Sequence, residues 1–475
     1  MGDLVIALTL AEVVGLTGGA VRGGDTALGD VVDEVVTDSR EAATGALFVA
    51  IRGERHDGHD HIDAALTAGA TAVLASRPPT PAGEDARRSE RIVYVADTLA
   101  ALTLLAGAVR DRVDPVVVAI TGSVGKTTTK DLTAAAIASS RATAAAPRSF
   151  NNEFGVPLTC LSIERTTEVL VVEVGARGIG HIRSLMPVVR PDVAVVTAVA
   201  GAHLEQFGDI DAVAAAKGEL VEALGADGVA VLNVDDRRVA AMSARTSARV
   251  LAFGRGTSAD VRASDVRLDR LGRPRFVVHT PWGQADVALP LAGEHQVTNA
   301  LAALAAAGAV DVPLEAAAAA LADARVSHWR SQVLEVDGVV VLHDAYNANP
   351  TSVRAALRTL VSIARPDTGR TWAVLGVMAE LGAGSDHEHE LIGRDCVRLN
   401  VDRLVVVGRA ARRIVDGADL EGLFGDDRWL VDDPDEALAI LRSHVRSGDV
   451  VLVKGSRVAG FERVADGLVA QGVAA

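Results

Sequence analysis

The chain has 475 residues, of which 49% are hydrophobic and 3% aromatic, so it is long enough for roughly two to four domains with cores of Ala, Val and Leu. Acidic residues outnumber basic ones by 62 to 47, which argues against a nucleic-acid partner because phosphate backbones require clustered Lys and Arg. With two cysteines, no positively charged leader and no apolar stretch of membrane length, the sequence predicts a cytoplasmic protein without disulfides or membrane insertion.

The first block of the chain ends near Asp114. It contains two short apolar strands, Leu47–Ile51 and Ala72–Ala75, with a helical run between them. A segment rich in proline and charge, residues 77–90, follows the second strand and is typical of a surface loop. Residues 1–113 are therefore predicted to form a small α/β domain.

The second block, residues 114–326, alternates buried strands with alanine-rich helices. Its first strand is the β-branched run "VVVAI", which lacks alternation and is typical of a strand buried on both faces. Three similar runs follow, at residues 169–175, 192–199 and 228–236. This rhythm predicts a doubly wound domain with a mainly parallel sheet.

The third block, residues 327–475, repeats the alternation on a smaller scale. Its predicted strands are "VVVLHDAY", "TWAVLGVM", "RLVVVG" and "DVVLVKG", separated by helical stretches. The block is therefore predicted to be a second α/β sheet of Rossmann-like type, which gives three domains in total.

A glycine turn joins the first strand of the central block to its helix, in the stretch "TGSVGKT" from Thr121 to Thr127. Backbone N–H groups and the helix dipole at such a junction favour an anion. Lys126 can bridge terminal phosphates, and the Thr127 hydroxyl can ligate magnesium. The usual P-loop pattern requires a glycine at position 120, where this chain has Ile, so a glycine turn without a ligand is the alternative.

Other chemically active residues follow the later strands of this block. Glu173 ends one strand and His203 follows the next. Because ligands gather outside the carboxyl ends of parallel strands, Lys126, Glu173 and His203 are expected to converge. The alternatives are a solvated acid and a loop histidine. Lys217 lies in a helical run, where a solvated lysine is the default interpretation.

These residues resemble the Mur ligases, the ATP-dependent amide-forming enzymes of peptidoglycan precursor synthesis. The family loop is T-G-[ST]-x-G-K-T, so the missing first glycine is a family trait. The resemblance covers essentially the whole chain. It implies an N-terminal UDP-binding domain, a central P-loop ATPase domain and a C-terminal ligase domain that binds the incoming amino component.

Four motifs resemble the branch that adds D-alanyl-D-alanine to UDP-N-acetylmuramoyl-tripeptide. The alternatives are a Mur-type ligase that adds a single amino acid, a ligase like folylpolyglutamate synthase, and a nucleotide-sensing protein that has lost catalysis. The Asp-Asn-Pro-Arg motif of the diaminopimelate-adding relative is absent. The four motifs are "NNEFGVPLT", "DAYNANPTS", "VMAELG" and "VKGSR".

The resemblance implies a mechanism in which the substrate carboxylate attacks the γ-phosphate of ATP and the amine then attacks the resulting acyl phosphate. Thr127 and Glu173 are implied ligands of one magnesium ion and His203 of a second. Lys217 aligns with a lysine that reacts with CO2, and the carbamate would be an anionic metal ligand. Lys126, Lys217 and His203 are thus the implied catalytic residues.

The resemblance also implies contacts for both nucleotides, and the enzyme is expected to be a monomer. The "TDSR" and "GALFVAIRG" segments resemble the UDP-binding part of the family. His295 shares a helix face with Asn299, which the family places near adenine. The implied UDP-substrate contacts are Ser39, Arg40, Asn151 and Asn152; the implied ATP contacts are Gly122, Ser123, Val124, Gly125, Lys126, Thr127, Thr128, Asn299, Arg330 and Asp344.

Three places depart from the family pattern or remain ambiguous. His56 and His61 stand where relatives often carry aromatic residues, and "HDGHDH" fits no zinc spacing. Arg177 and Gly178 replace an Asn-His pair that is frequent in relatives, which affects the substrate contacts after Glu173. The stretch "ELGAGSDHEHE" either lines the dipeptide pocket or begins a solvated helix.

Overall fold

The computed structural model describes residues 6–21, 27–53, 56–78, 90–201, 204–363, 369–423 and 425–471. The chain divides into two compact units. The first comprises residues 1–119, 141–175 and 182–192, and the second comprises residues 120–140, 176–181 and 193–475. Among the described helices, none is both long and apolar enough to cross a membrane.

The first unit contains a five-stranded sheet that is parallel except at one edge. Leu47 to Val49 and the run Ala72–Ala75 lie at its centre and are buried, as their apolar sequences predict. The antiparallel edge pair joins Ala20–Val21 to Ile92–Tyr94. In sheet order the strands are Ala20–Val21, Ile92–Tyr94, Ala72–Ala75, Ala46–Val49 and Glu34–Val36.

Two helices of the first unit begin at side chains that cap their N-termini. The Thr9 hydroxyl accepts a hydrogen bond from the backbone of Glu12, whose carboxylate accepts one from the backbone of Thr9. Asp97 caps the next long helix through the backbone of Leu99 and Ala100. The helices are Leu10–Thr17, Ile62–Ala68, Thr98–Val113, Gly155–Leu161 and, apart from its first residue, His181–Val189; a two-stranded antiparallel pair joins Leu8–Thr9 and Val31–Val32.

The strand Val116–Thr121 carries residues of both units. In the first unit, Val169–Glu173 and Thr143–Ala145 pair in parallel. In the second unit, Val193–Val196, Val229–Asn233 and Arg249–Gly254 continue in parallel. Each of the three strands predicted around positions 169, 192 and 228 is confirmed, although each ends two or three residues before its predicted end.

The sequence did not predict three strands at one edge of the central sheet, in the second unit, that include its antiparallel pairs. The strand Val261–Leu268 runs parallel to Arg249–Gly254. Pro274–Thr280 pairs antiparallel with Val261–Leu268, and Gly283–Ala288 pairs antiparallel with Pro274–Thr280. These strands mix Arg, Asp and Gln with apolar residues on partly exposed faces. The central sheet is thus mainly but not wholly parallel, because edge hairpins need cover on one face only.

The C-terminal part of the second unit contains a six-stranded sheet, parallel except for one edge hairpin. Val450–Lys454 lies between Val339–His343 and Thr371–Leu375. This register places Lys454 opposite Leu375 and brings Val453 opposite His343. The sheet order is Gln332–Val336, Val339–His343, Val450–Lys454, Thr371–Leu375, Arg403–Val407 and Arg428–Val431.

The helices of the second unit cover these sheets. The core of the C-terminal sheet has two layers, one against the helices that begin at Pro350 and Ser385 and one against those that begin at Pro434 and Glu462. The α-helices are Lys126–Ala138, Leu204–Phe207, Ile210–Glu222, Arg237–Ala240, Gln296–Ala309, Leu314–Ala320, Pro350–Ile363, Ser385–Arg398, Arg413–Leu420, Pro434–His444 and Glu462–Gln471.

Candidate active site

The glycine turn predicted to bind phosphate lies between the strand that ends at Thr121 and the helix that begins at Lys126. Gly125 has φ 81°, a left-handed conformation that glycine adopts without a Cβ penalty. The Lys126 Nζ donates a hydrogen bond to the Gly122 carbonyl oxygen at 2.8 Å. The lysine therefore folds back over its own loop, and the Thr127 side chain is buried.

Two polar residues that the sequence prediction did not include hold this loop. The Thr197 hydroxyl donates to the Val124 carbonyl oxygen at 2.6 Å, and Asn233 Nδ2 donates to the Thr197 carbonyl oxygen at 2.7 Å. Thr197 follows a buried strand and Asn233 ends one. Polar residues at the ends of apolar strands were the signal that could have identified them.

Ser123 connects the same loop to the segment after Thr197. Its backbone N–H donates to the Ala198 carbonyl oxygen at 2.8 Å, and its hydroxyl donates to the Ala200 carbonyl oxygen at 3.0 Å. Ser123 thus has a structural function here. His203 lies outside the described residues.

Asn299 contacts the helix that follows the glycine turn. Thr129 Oγ1 donates to Asn299 Oδ1 at 3.4 Å, and Asn299 Nδ2 donates to Gln296 Oε1 at 2.7 Å. A Cβ on Gly125 would collide with Asn299 Oδ1. The structure therefore brings Asn299 and the glycine turn together within the second unit, although Asn299 and Gly125 are 174 positions apart in the sequence.

His295 precedes Asn299 and has a perturbed acidity. Burial lowers its pKa to about 4, Asp344 opposes that shift, and Lys454 reinforces it. His295 Nε2 lies 3.0 Å from Gln296 Nε2. At neutral pH His295 is therefore an uncharged imidazole beside the residues that contact the glycine turn.

Lys217 is buried in the helix Ile210–Glu222, with a side chain that is 3% exposed. The default interpretation of a solvated lysine is therefore wrong for its position. Arg245 packs against this helix, donating to the carbonyl oxygens of Ala214 and Ala215 at 3.3 and 3.0 Å. A Cβ on Gly218 would collide with the Arg245 guanidinium, so the helix and the arginine approach closely.

Glu173 and Asn151 are neighbours in the first unit. Asn151 Nδ2 donates to Glu173 Oε1 at 2.6 Å, and the Glu173 side chain is buried. Asn152 Oδ1 accepts hydrogen bonds from the backbone of Phe154 and Gly155, where a helix begins. The two asparagines therefore have different partners, the carboxylate for Asn151 and a helix start for Asn152.

Arg330 in the second unit stacks on an aromatic ring. Its Cζ lies 3.9 Å from the centroid of the Tyr346 ring. The residues on both sides, Trp329 and Ser331, have φ of 63° and 47°. Left-handed conformations at two non-glycine residues are costly and often occur where a side chain is held for function.

Asp344 lies between two donors. Its Oδ1 accepts from the Ser331 N–H at 3.0 Å, and its Oδ2 accepts from Lys454 Nζ at 2.6 Å. Lys454 also donates to the Asn347 carbonyl oxygen at 2.9 Å and is 2% exposed. Lys454 lies in the "VKGSR" motif, whose sequence does not indicate a partner for the lysine, and the strand register places it beside Asp344.

The N-terminal candidates Ser39 and Arg40 lie in a turn at the surface of the first unit. Arg40 pairs with Asp38, with Nε at 2.9 Å from Oδ1, and this pairing lowers the pKa of Asp38 to about 2. The guanidinium remains exposed. Any anion that binds Arg40 therefore competes with Asp38.

Two histidines of the histidine-rich segments, His59 and His389, make hydrogen bonds within the fold. His59 is buried, with Nδ1 at 2.6 Å from Asp57 Oδ1 and Nε2 accepting from the Ser76 N–H. His389 Nε2 accepts from the Met378 N–H at 2.9 Å. Within the described ranges, no three His, Cys, Asp or Glu side chains are grouped to bind a metal.

The strand, the glycine turn and the helix that starts at Lys126 define an α/β protein with a phosphate-binding type of loop. Family models match most of the chain: the Mur ligase family catalytic domain over residues 31–110, the Mur ligase middle domain over 120–307 and the Mur ligase glutamate ligase domain over 329–457. The chain belongs to the Mur ligase family.

Individual relatives match along nearly the full length. The UDP-N-acetylmuramoyl-tripeptide--D-alanyl-D-alanine ligase of Mycobacterium tuberculosis is 45% identical over 98% of both chains. A crystal structure of MurF from Acinetobacter baumannii is 31% identical, with a TM-score of 0.86, over 98% of this chain and 100% of that one. The MurF ligase of Thermotoga maritima in complex with ADP is 30% identical, with a TM-score of 0.77, over 91% and 96%.

Proposed function

We propose that the chain joins D-alanyl-D-alanine to UDP-N-acetylmuramoyl-tripeptide, forming an amide bond as ATP is converted to ADP and phosphate. The observation that carries this proposal is the 45% identity to the Mycobacterium tuberculosis ligase of that name over 98% of both chains. The alternatives, a single amino acid as acceptor or a folate-type substrate, are not favoured by relatives this similar.

The proposed reaction has two chemical steps. A carboxylate oxygen of the tripeptide attacks the γ-phosphorus of ATP, ADP leaves, and an acyl phosphate forms. The neutral amine of D-alanyl-D-alanine then attacks the acyl carbon, phosphate leaves, and the ammonium loses its extra proton to give the amide. The protein contributes mainly by positioning and by neutralising charge, because two anions must approach each other.

The glycine turn and its lysine would hold the phosphates of ATP. Residues 122–128 place a helix N-terminus at the end of a buried strand, where backbone N–H groups favour anions. Lys126 is already directed over the loop by its bond to the Gly122 carbonyl oxygen. We assign its ammonium to the γ-phosphate, where its positive charge would offset the repulsion between that phosphate and the approaching carboxylate.

Magnesium suits the oxygen donors among the proposed metal ligands. The Thr127 hydroxyl and the Glu173 carboxylate are both buried, and hard oxygen donors of this kind are what magnesium prefers. Bound magnesium would supply positive charge to the phosphates. Asn151, which donates to Glu173 at 2.6 Å, would orient that carboxylate.

Lys217 fits such a metal only after modification, because an ammonium repels a cation. Reaction of its neutral amine with CO2 would give a carbamate, which is an anionic oxygen ligand. The Lys217 side chain is buried in the helix Ile210–Glu222. We propose carbamylated Lys217 and His203 as the remaining ligands of two magnesium ions and, with Lys126, as the catalytic residues.

The remaining assignments concern the two nucleotides. Asn299 would lie near adenine, Asp344 would bind ribose, and Arg330 would reach the γ-phosphate. The proposed UDP-substrate contacts are Ser39 and Arg40, in a UDP-binding domain at residues 1–113, and Asn151 and Asn152, in an ATP-binding domain at 114–326. A dipeptide-binding domain at 327–475 completes the proposed division. We further propose a monomer in the cytoplasm.

A phosphate-release assay tests the proposed function. Purified protein with ATP, magnesium and UDP-N-acetylmuramoyl-tripeptide should release phosphate with D-alanyl-D-alanine and much less with D-alanine, D-glutamate or meso-diaminopimelate. Mass spectrometry of the product should give the mass of the tripeptide substrate plus the dipeptide minus water. Release with a single amino acid but not with the dipeptide would contradict the proposal.

A further inference from the structure

A buried ion pair lies in the helix that follows the glycine turn, and the proposed chemistry does not use it. Lys130 Nζ is 2.6 Å from Asp131 Oδ1, and the two side chains are 1% and 9% exposed. Burying two charges costs desolvation that their attraction seldom exceeds, so such a pair rarely adds net stability. Net stabilisation of the fold therefore does not explain why the Lys130–Asp131 pair is buried in this helix.

The second oxygen of Asp131 holds a distant part of the chain. Asp131 Oδ2 accepts a hydrogen bond from the Ser327 N–H at 2.7 Å, across 196 positions of sequence. Ser327 is three residues before Arg330. A hydrogen bond to an ionised carboxylate is stronger than one between neutral groups, and Lys130 keeps Asp131 beside a positive charge.

The other end of the same short segment is held by different residues. The Ser331 N–H donates to Asp344 Oδ1 at 3.0 Å, and the Tyr346 N–H donates to the Trp329 carbonyl oxygen at 3.2 Å. Arg330 lies between these two contacts, stacked on Tyr346. Residues 327–331 are therefore held at one end by Asp131 and at the other by residues 344–346.

The backbone of this segment requires such support. Trp329 and Ser331 both have positive φ, and each left-handed non-glycine residue costs on the order of 1 kcal/mol. A conformation of this kind persists only where neighbouring contacts maintain it. Loss of the contact at Ser327 would let the segment relax and would move Arg330.

We propose that Asp131 is a positioning residue for Arg330, linking the helix of the glycine turn to the segment that carries the arginine. The inference rests on the proposed function, in which Arg330 reaches the γ-phosphate. In this proposal Asp131 acts through Arg330 and is assigned no substrate contact of its own. In this proposal an acceptor oxygen at position 131 holds Ser327, and Lys130 offsets the charge of the buried carboxylate that supplies this oxygen.

Activity measurements on Asp131 variants provide the first part of the test. Asp131→Ala should lower kcat at least about tenfold, because a displacement near 1 Å can have that effect, with little change in the KM for D-alanyl-D-alanine. Asp131→Asn keeps an acceptor for Ser327 and should stay within about threefold of the wild type. Combined with Arg330→Ala, Asp131→Ala should add almost nothing further.

Hydrogen–deuterium exchange of residues 327–331 provides a readout that does not depend on activity. Exchange in this segment should accelerate in Asp131→Ala and stay slow in Asp131→Asn. Lys130→Met is the matched control, since it removes the buried cation while Asp131 can still accept from Ser327. We expect Lys130→Met to lower the melting temperature and to leave exchange in this segment slow.

Three outcomes would overturn the inference: unchanged exchange in Asp131→Ala, an unchanged kcat, or fully additive losses with Arg330→Ala. If Asp131→Ala does not fold, the variant Lys130→Met/Asp131→Ala removes both charges and replaces it. A wild-type protein without ligase activity would contradict the proposed function alone, because the exchange experiment would still measure the contact at Ser327.

Discussion

Asn299 Oδ1 occupies the space that a Cβ on Gly125 would need. The two residues come from different elements, the start of the helix Lys126–Ala138 and the helix Gln296–Ala309. Their contact means that Gly125 serves two purposes. It supplies the left-handed turn at φ 81° that starts the helix, and it lets the second helix approach the loop.

Gly125→Ala should weaken ATP binding. An alanine at this φ costs about 1–2 kcal/mol, and its methyl group would displace Asn299. We expect the KM for ATP to rise on the order of tenfold, measured by ATP titration in the phosphate-release assay. Gly107→Ala is the control, because Gly107 lies inside a helix with no atom near its missing Cβ. A normal KM in Gly125→Ala would contradict the prediction.

Lys454→Met should destabilise the protein by about 3 kcal/mol, because it leaves the partly buried Asp344 carboxylate without its ammonium partner at 2.6 Å. The double variant Lys454→Met/Asp344→Asn should recover part of that loss. Urea denaturation of the two single variants and the double variant measures the coupling. Additive effects of the two substitutions would show that the pair is not coupled.

His295→Gln should change how stability depends on pH. The folded protein holds the pKa of His295 at about 4, below the ordinary 6.5, so the unfolded chain takes up a proton first as pH falls. The contribution of neutral His295 to the free energy of unfolding is fully present above pH 6.5 and is lost as the pH falls toward 4.

The full difference between the two pKa values corresponds to a change of about 3 kcal/mol in the free energy of unfolding. Because the side chain is only half-buried, we expect a change of about 2 kcal/mol. Urea denaturation at pH 8 and pH 4.5 should therefore show that the wild type loses more stability than His295→Gln. Equal losses in both proteins would exclude a depressed pKa at His295.

Lys217→Arg tests the proposed carbamate. Arginine keeps the positive charge but does not react with CO2, so we expect kcat to fall at least about 100-fold. Labelled bicarbonate should give a carbamate signal by 13C NMR in the wild type and none in Lys217→Arg. Normal activity of the arginine variant would contradict the catalytic function of the carbamate, whereas absence of the signal in the wild type would contradict the carbamate itself.

The sequence predicted most of the strands that position the site, because β-branched runs at regular intervals are a local signal. It also located Lys126, Glu173, Asn299, Arg330 and Asp344 through strand ends and family motifs. It missed the antiparallel strands between residues 261 and 288, whose mixed polar composition resembles that of loops. The functions assigned to these site residues remain predictions.

The sequence by itself determined the α/β class, the glycine turn and the order of the motifs, since each depends on neighbouring residues. Only the tertiary structure decided which side chains meet. Lys454 was one lysine in a motif until strand register placed it beside Asp344. Asp131 and Ser327 are separated by 196 positions, and no local pattern encodes such a contact, because it arises when separate elements pack together.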